Sequence, residues 1–278
     1  MTRKRKRHRT KPKIESKLLD IVIPVYRRFD LLEKCLSSIP DAAVNIRYNI
    51  IIVDNNSPRE EADPFYNQYN NLVVIRNKEN FGFPKACNQG VRRKASPLIF
   101  LLNSDVILEP NSIDLLVRAL DDPKIGVVGM KLLFPEDHAG LNPNIRPAGK
   151  VQHVGLATNI QGDFFHIFLG WDADHPKVNA TKEVYAVTGA ALMTRRSIWN
   201  KVGGFFEGYG AGTFEDVDFC LSVRDIGYNI IVETRAVGTH YVGATAEKYQ
   251  LGYPLQMNRL LLFQRWATKF NYTEYLHW

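Results

Sequence analysis

An α/β fold is expected of this chain, built on a mostly parallel sheet flanked by helices. Three observations predict it. The first half alternates short, continuous Val/Ile/Leu runs with segments of helical periodicity, the pattern of strands buried on both faces. Each run ends in polar or turn-forming residues, and in such sheets ligands sit beyond the carboxyl ends of the strands. The length of 278 residues and a hydrophobic fraction of 45% suffice to bury a substantial core in one large domain or two small ones.

Residues 19–24 (LDIVIP) form the first strand, and Asp30 is placed to cap a helix carrying Leu31, Leu32, Cys35, Leu36 and Ile39. Residues 48–53 and 72–75 form the second and third strands, and residues 84–94 the next helix. A fourth strand spans residues 98–102, after which Asn111 or Ser112 caps a helix over Ile113, Leu116, Val117 and Leu120. The strands run out into Pro24-Val25-Tyr26, Asp54-Asn55-Asn56-Ser57, Arg76-Asn77-Lys78 and Asn103-Ser104-Asp105. These are groups suited to holding a nucleotide or a metal.

Beyond residue 125 the pattern changes. Residues 126–134 and 183–194 read as strands, and residues 135–182 between them hold Pro, Gly, Asn and His with weak strand signal. A long, loosely structured insertion in a compact domain is usually functional, and it is assigned here to the acceptor side. Residues 203–213 form a glycine-rich loop set against Glu215, Asp216 and Asp218, at the start of a short amphipathic helix that ends at Gly227. The helix dipole favours carboxylates in a first turn, which accounts for one or two of them. A loop delivering a carboxylate to a substrate hydroxyl is the functional reading. His240 ends a strand over residues 235–240, and residues 254–270 form a last helix. Its Leu255, Leu260, Leu262, Phe263 and Trp266 are expected to pack on the core.

The net charge of +7 belongs to a tail. Eight of the 36 Lys and Arg residues lie in residues 1–13, which contain no acid; the remaining 28 face 29 acids, so the body carries −1. Residues 1–17 are expected to be a disordered basic arm able to touch an anionic surface, whether lipid, nucleic acid or acidic polymer. No apolar segment follows the basic run, so no signal peptide is expected, and no stretch is long enough for a membrane span. Cys35, Cys87 and Cys220 fit neither a disulfide framework nor a zinc spacing and read as buried thiols in a reducing cytoplasm.

Several residues carry candidate chemistry. Asp54 follows a strand and precedes a turn, where a carboxylate accepts a hydrogen bond from a nucleobase or caps the turn. Asp105 ends the fourth strand, a place for a Mg²⁺ or Mn²⁺ ligand on a diphosphate or, again, for a capped turn. Residues 80–90 (NFGFPKACNQG) put Gly and Asn around a helix start and suit close approach to a substrate. His240 offers an imidazole to a metal or serves the fold.

The order of these motifs is more specific than any one of them. IVIPVY (21–26), IVDNNS (52–57), NFGF (80–83), LLNSD (101–105), VTGAA (187–191), VGGF (202–205), FEDVD (214–218) and the late His240 follow one another along the chain. Together, over roughly residues 18–245, they resemble the family 2 glycosyltransferases of the GT-A type, in particular the rhamnosyltransferase-like branch.

The resemblance implies a GT-A domain over residues 18–250, with residues 251–278 as a helix packed on it. It implies an inverting, metal-dependent transferase that moves a hexosyl or deoxyhexosyl group from a UDP-, dTDP- or GDP-linked donor to a glycan or lipid-linked acceptor in polysaccharide synthesis. Pro24, Tyr26 and Asp54 would hold the nucleoside, with Asn80, Gly82, Lys85, Asn103 and Ser104 along the rest of the donor. Asp105 and His240 would bind the divalent cation, Mn²⁺ or Mg²⁺. Asp216 would be the general base, with Glu215 beside it. The triplet Asn103-Ser104-Asp105 retains one of the carboxylates of the family's metal-binding motif. The enzyme is expected in the cytoplasm, at the inner face of the membrane if the tail binds there. Two rivals are weighed against it. A nucleic-acid-binding protein is disfavoured because the arm has no interleaved aromatics and the body no net positive charge. A nucleotidyltransferase is disfavoured because residues 24–28 (PVYRR) lack the glycines of a phosphate loop.

Overall fold

The computed structural model describes residues 18–137, 147–159 and 162–269. The expectations for the basic arm, for part of the insertion and for the end of the last helix fall outside the described residues.

The chain enters through β1 (Leu18–Val25), α1 (Phe29–Ala42), β2 (Arg47–Asp54), α2 (Arg59–Tyr66) and β3 (Leu72–Arg76). It continues through α3 (Phe83–Arg93), β4 (Leu98–Leu102), β5 (Val106–Leu108), α4 (Ser112–Ala119) and β6 (Ile125–Leu133). Three short strands follow, β7 (Val151–His153), β8 (Leu156–Thr158) and β9 (Phe164–His166). Then come β10 (Lys182–Val184), β11 (Ala191–Arg195), α5 (Arg196–Val202) and α6 (Glu215–Asp225). β12 (Asn229–His240), α7 (Ala244–Tyr249) and α8 (Leu255–Trp266) complete the described chain.

The large sheet runs β10-β12-β6-β11-β4-β1-β2-β3, with β5 on β12 and β7 on β6. Its β3-β2-β1-β4 half is parallel throughout; β11 enters antiparallel between β4 and β6, and β12 pairs parallel with β6. Side-chain alternation divides the core between the two faces. Leu19, Ile21 and Ile23 point into one cluster with α1 and α4, while Val22 and Ile51 point into the other with Ala86, Cys87 and Val91 of α3. This two-sided burial is why β1 is apolar at nearly every position. The one charge within it, Asp20, is fully buried and satisfied by Asn49, both the Ser96 amide and hydroxyl, and Arg196. All three cysteines are buried and unpaired, and burial pushes their thiols well above the usual range.

Several expectations are corrected. Asp30 does not cap α1: Arg28 takes that position at φ 50°, and Asp30 sits in the first turn with its carboxylate on the Arg28 guanidinium. α2 carried no periodic signal, because only Ala62 and Phe65 are buried in its eight residues. The run 183–194 is two strands, β10 on β12 and β11 on β4 and β6, and the chain between them leaves the sheet to form part of the cleft below. The insertion is more ordered than expected, contributing β7–β9 and the buried Val151, Val154, Ile167 and Val178. In α8 the buried residues are Asn258, Leu262 and Trp266, whereas Leu255, Leu260 and Phe263 are half or more exposed. A buried amide, Asn258, on the glycine-rich loop, together with Leu262 and Trp266, seats this helix in place of a full apolar stripe.

Candidate active site

The strand order creates the cleft. The chain steps outward from β1 to β2 and β3, then returns to β4 on the opposite side of β1, so the loops leaving β1 and β4 diverge. A crevice opens at such a switch point, outside the carboxyl ends of the strands. Here it is a cavity of about 370 Å³. Pro24 and Tyr26 line it at the end of β1, and Asn103, Ser104 and Asp105 from the turn that follows β4. Glu215 and Asp216 come from the first turn of α6, His240 from the end of β12, Asn80 from the loop before α3, and Tyr253 from the segment before α8. Nine predicted site residues, distant in sequence, thus share one wall-to-wall site.

Asp54, Gly82 and Lys85 do not line it. Asp54 is fully buried at the end of β2, where Oδ1 accepts the Ser57 amide at 2.7 Å and Oδ2 faces Arg76 Nε at 3.5 Å. The next residue, Asn55, reaches the cleft instead. Asp54 closes the turn that presents Asn55, because alternation along a strand puts neighbours on opposite sides. Asp54→Ala is accordingly expected to lower stability by about 1–3 kcal/mol, the cost of orphaning buried donors, with a smaller effect on nucleotide affinity. Loss of nucleotide binding at unchanged melting temperature would restore a direct contact. Gly82 serves close packing: at φ +82°, an added Cβ would stand 1.9 Å from the Gly210 carbonyl oxygen. It lets the loop before α3 lie directly on the glycine-rich loop, where the Phe83 amide donates to Ala211. Lys85 sits with its ammonium 3.8 Å from the centre of the Phe81 ring.

The acid pair occupies contrasting environments. Asp216 is held by two backbone donors, Gly189 N on Oδ2 and Val217 N on Oδ1, each at 2.8 Å, and by the Thr188 hydroxyl. Burial still outweighs these contacts and raises its carboxyl above the usual range. Glu215 is more deeply buried, and among the described residues its Oε2 has no hydrogen-bond partner. Burial, then the neighbouring Asp216 charge, holds its carboxyl well above the ordinary value. Two carboxylates this close lose their last proton as a pair.

Asp105 and His240 face each other, with Oδ1 and Nε2 3.3 Å apart. Asn103 Nδ2 lies 3.4 Å from the same ring nitrogen. One carboxylate oxygen and one imidazole nitrogen make a donor pair that Mn²⁺ accepts, and Mg²⁺ less readily at nitrogen. Among the described residues no group of three or more His, Cys, Asp or Glu is placed to hold a metal. The donor set therefore fits a cation that takes its other ligands from a diphosphate and water.

Asp218, the third acid of the cluster, belongs to the fold. Its carboxylate accepts Arg265 Nε and Trp266 Nε1, each at 2.7 Å, and the Tyr209 hydroxyl at 3.3 Å, tying α8 to α6. Asn258 of α8 completes the clamp by donating to the carbonyls of Tyr209 and Gly212 at 2.9 and 2.8 Å. The glycine-rich loop is thus held from behind by the last helix. Sequence reasoning missed Asn258, because a lone amide in a helix carries no pattern. Thr188 and Gly189 lay within a motif, and only the sheet crossing reveals what they touch.

A GT-A architecture with a cleft at its switch point defines the class. The sequence pattern of glycosyl transferase family 2 matches residues 20–200, and the chain belongs to that family. It is 26% identical over 237 residues to the O-antigen biosynthesis protein RfbC of Myxococcus xanthus, covering 82% of this chain and 17% of that one. Among solved structures it superposes on GalNAc-T7 with UDP, GalNAc and Mn²⁺ at a TM-score of 0.71 and 14% identity, over 92% of this chain and 49% of that one. It also superposes on the mannosyltransferase PcManGT of Pyrobaculum calidifontis, in complex with GDP-Man and Mn²⁺, at 0.54 and 16% identity, over 89% and 68%. The chain spans a quarter or less of the length of the two curated relatives that it matches over 82% of its own.

Proposed function

We propose that this cleft transfers a sugar from a nucleotide-diphosphate sugar to an acceptor hydroxyl with inversion at the anomeric carbon. One observation carries the reading: a buried, proton-hungry acid pair and a carboxylate–imidazole pair open into the same cavity. A hydroxyl is a poor nucleophile until a carboxylate accepts its proton as the new bond forms, contributing about 10²–10⁴-fold. Asp216 is assigned that role because its donors fix its direction, with burial keeping its proton affinity high. Attack from the face opposite the diphosphate gives inversion in a single displacement and needs no covalent enzyme intermediate.

Pro24 and Tyr26, with Asn55, are assigned to the nucleoside, and Asn80, Asn103 and Ser104 to the rest of the donor. Asp105 and His240 would hold Mn²⁺ or Mg²⁺, which when bound offsets the charge left on the departing diphosphate. The nucleotides and Mn²⁺ of the two structural neighbours support this assignment. The donor is taken to be a UDP-, dTDP- or GDP-linked hexose or deoxyhexose, and the acceptor a glycan or lipid-linked glycan in polysaccharide synthesis. We place the reaction in the cytoplasm, with the basic arm holding the enzyme at an anionic membrane face. Among the described residues no helix is long and apolar enough to cross a membrane. A thermal-shift screen of these donors with each cation tests the reading. Stabilisation by a nucleotide sugar that grows with the cation is expected, and no response to any donor would defeat it. Truncating residues 1–17 separates the non-enzymatic rival: a transferase keeps turnover on soluble acceptors, and a surface-binding module loses its function.

The acid pair also sets a pH dependence. The base must be ionised, so the rate falls as pH drops through the pair's raised proton affinity, at a pH above the ordinary carboxylate range. Glu215→Gln removes the more strongly raised of the two carboxyls and leaves the burial of Asp216 in place, so the acid limb is expected to hold its position. For stability the sign is opposite. A carboxyl whose folded pKa is raised binds its proton more tightly when folded, so its contribution weakens as pH rises from the unfolded value through the folded one. The same substitution should flatten that decline in melting temperature, and a limb that moves would make Glu215 the group that sets it.

A further inference from the structure

His240 meets one side chain at two of its polar atoms. Gln152 of β7 is buried, its Nε2 donating to the His240 carbonyl at 2.9 Å and its Oε1 lying 2.7 Å from His240 Nδ1. A carbonyl only accepts, so the amide NH₂ must face it and the amide oxygen must face the ring. The flipped amide would set two oxygens against each other. Nδ1 therefore carries a proton, and Nε2 is the nitrogen left to face Asp105 Oδ1 at 3.3 Å and Asn103 Nδ2 at 3.4 Å. In the neutral ring that nitrogen bears its lone pair, directed at a carboxylate oxygen. Two electron-rich atoms aimed at each other in a cleft are stabilised by a cation between them.

We infer that Gln152 is a positioning residue that fixes the tautomer and the angle of His240, so that Nε2 points as a ligand into the site shared with Asp105. This rests on the cation-assisted reading above and extends it to a residue in the acceptor-side insertion. The logic is general: a metal-binding histidine is held by the partner of its other ring nitrogen, and removing such a partner typically costs 10–100-fold in metal affinity. Gln152 supplies two contacts at once, one setting the proton and one setting the backbone from which the ring projects. The position lies in the irregular stretch that sequence patterns left unassigned. The insertion thus reaches behind His240, although none of its described residues lines the cleft.

The tautomer can be measured without turnover. Nitrogen-15 histidine spectra of the full chain, without metal at neutral pH, should show His240 protonated at Nδ1. Gln152→Leu should lose that preference and bind Mn²⁺, titrated alone by electron paramagnetic resonance, about 10–100-fold more weakly. Gln152→Glu keeps an acceptor against Nδ1 and should retain its proton, but it sets an oxygen against the His240 carbonyl and should bind Mn²⁺ with an affinity between those of the other two proteins. An unprotonated Nδ1 in the unaltered protein overturns the inference, as does a Gln152→Leu protein with unchanged Mn²⁺ affinity. If Gln152→Leu fails to fold, the unaltered protein and Gln152→Glu still decide it. A protonated Nδ1 in a protein that binds no Mn²⁺ at His240 instead removes the cation reading, and the role of Gln152 as ligand positioner with it.

Discussion

Asp216→Asn is expected to lower turnover roughly 10²–10⁴-fold while leaving nucleotide binding close to normal. The amide cannot accept the acceptor's proton, yet it preserves the shape of the side chain. The substitution is not silent in the fold. Both carboxylate oxygens of Asp216 accept backbone N–H groups, from Gly189 and Val217. An amide satisfies one of them and turns an NH₂ toward the other. A modest fall in melting temperature should therefore accompany the loss of rate, and calorimetry with nucleotide separates the two effects. Near-normal turnover in Asp216→Asn, with a large loss in Glu215→Gln, would exchange the roles of the two acids.

Asp218→Ala is expected to destabilise the protein by about 2–4 kcal/mol, below the range for a fully buried pair because the Arg265 side chain stays one-third exposed. The substitution orphans the indole N–H of Trp266 and the hydroxyl of Tyr209, both buried, and frees Arg265. The first consequence should be local. α8 loses its tie to α6, and with it goes the grip of Asn258 on the carbonyls of Tyr209 and Gly212. Hydrogen exchange is expected to rise in α8 and in residues 209–213 before the parallel half of the sheet responds. Turnover should fall with it, although Asp218 does not line the cleft. Uniform destabilisation with an unchanged exchange pattern would mean that α8 does not hold the catalytic loop.

The residues of the cleft and its supports divide by how far their signal travels along the chain. β1, β2, β3 and β4 were legible because burial on both faces demands unbroken apolar runs, and polar termini marked where the runs stop. Asp105, Glu215 and Asp216 stood out as acids at the ends of such elements. α2, β5 and the strands of the insertion were not legible, since three-residue strands and an eight-residue helix with two buried residues leave no period to read. Asp54 was expected in the cleft and lies buried beside it; at a strand end, facing a ligand and closing the turn beneath it use the same residue types. One step of the pleat separates Asp54 from Asn55, and burial alone tells them apart.

The amino-acid order by itself determined the layered α/β scaffold, the family pattern and the acids proposed for the chemistry, because these depend on local periodicity and on residue type. The tertiary structure alone decided which acids meet. Strand order brings Asp105, His240 and Asp216 together from three separate parts of the chain, while Asp218, two residues from Asp216, turns to the opposite side of α6 and anchors the last helix. Neighbours along a helix face different directions, so proximity in sequence is a poor guide to sharing a site.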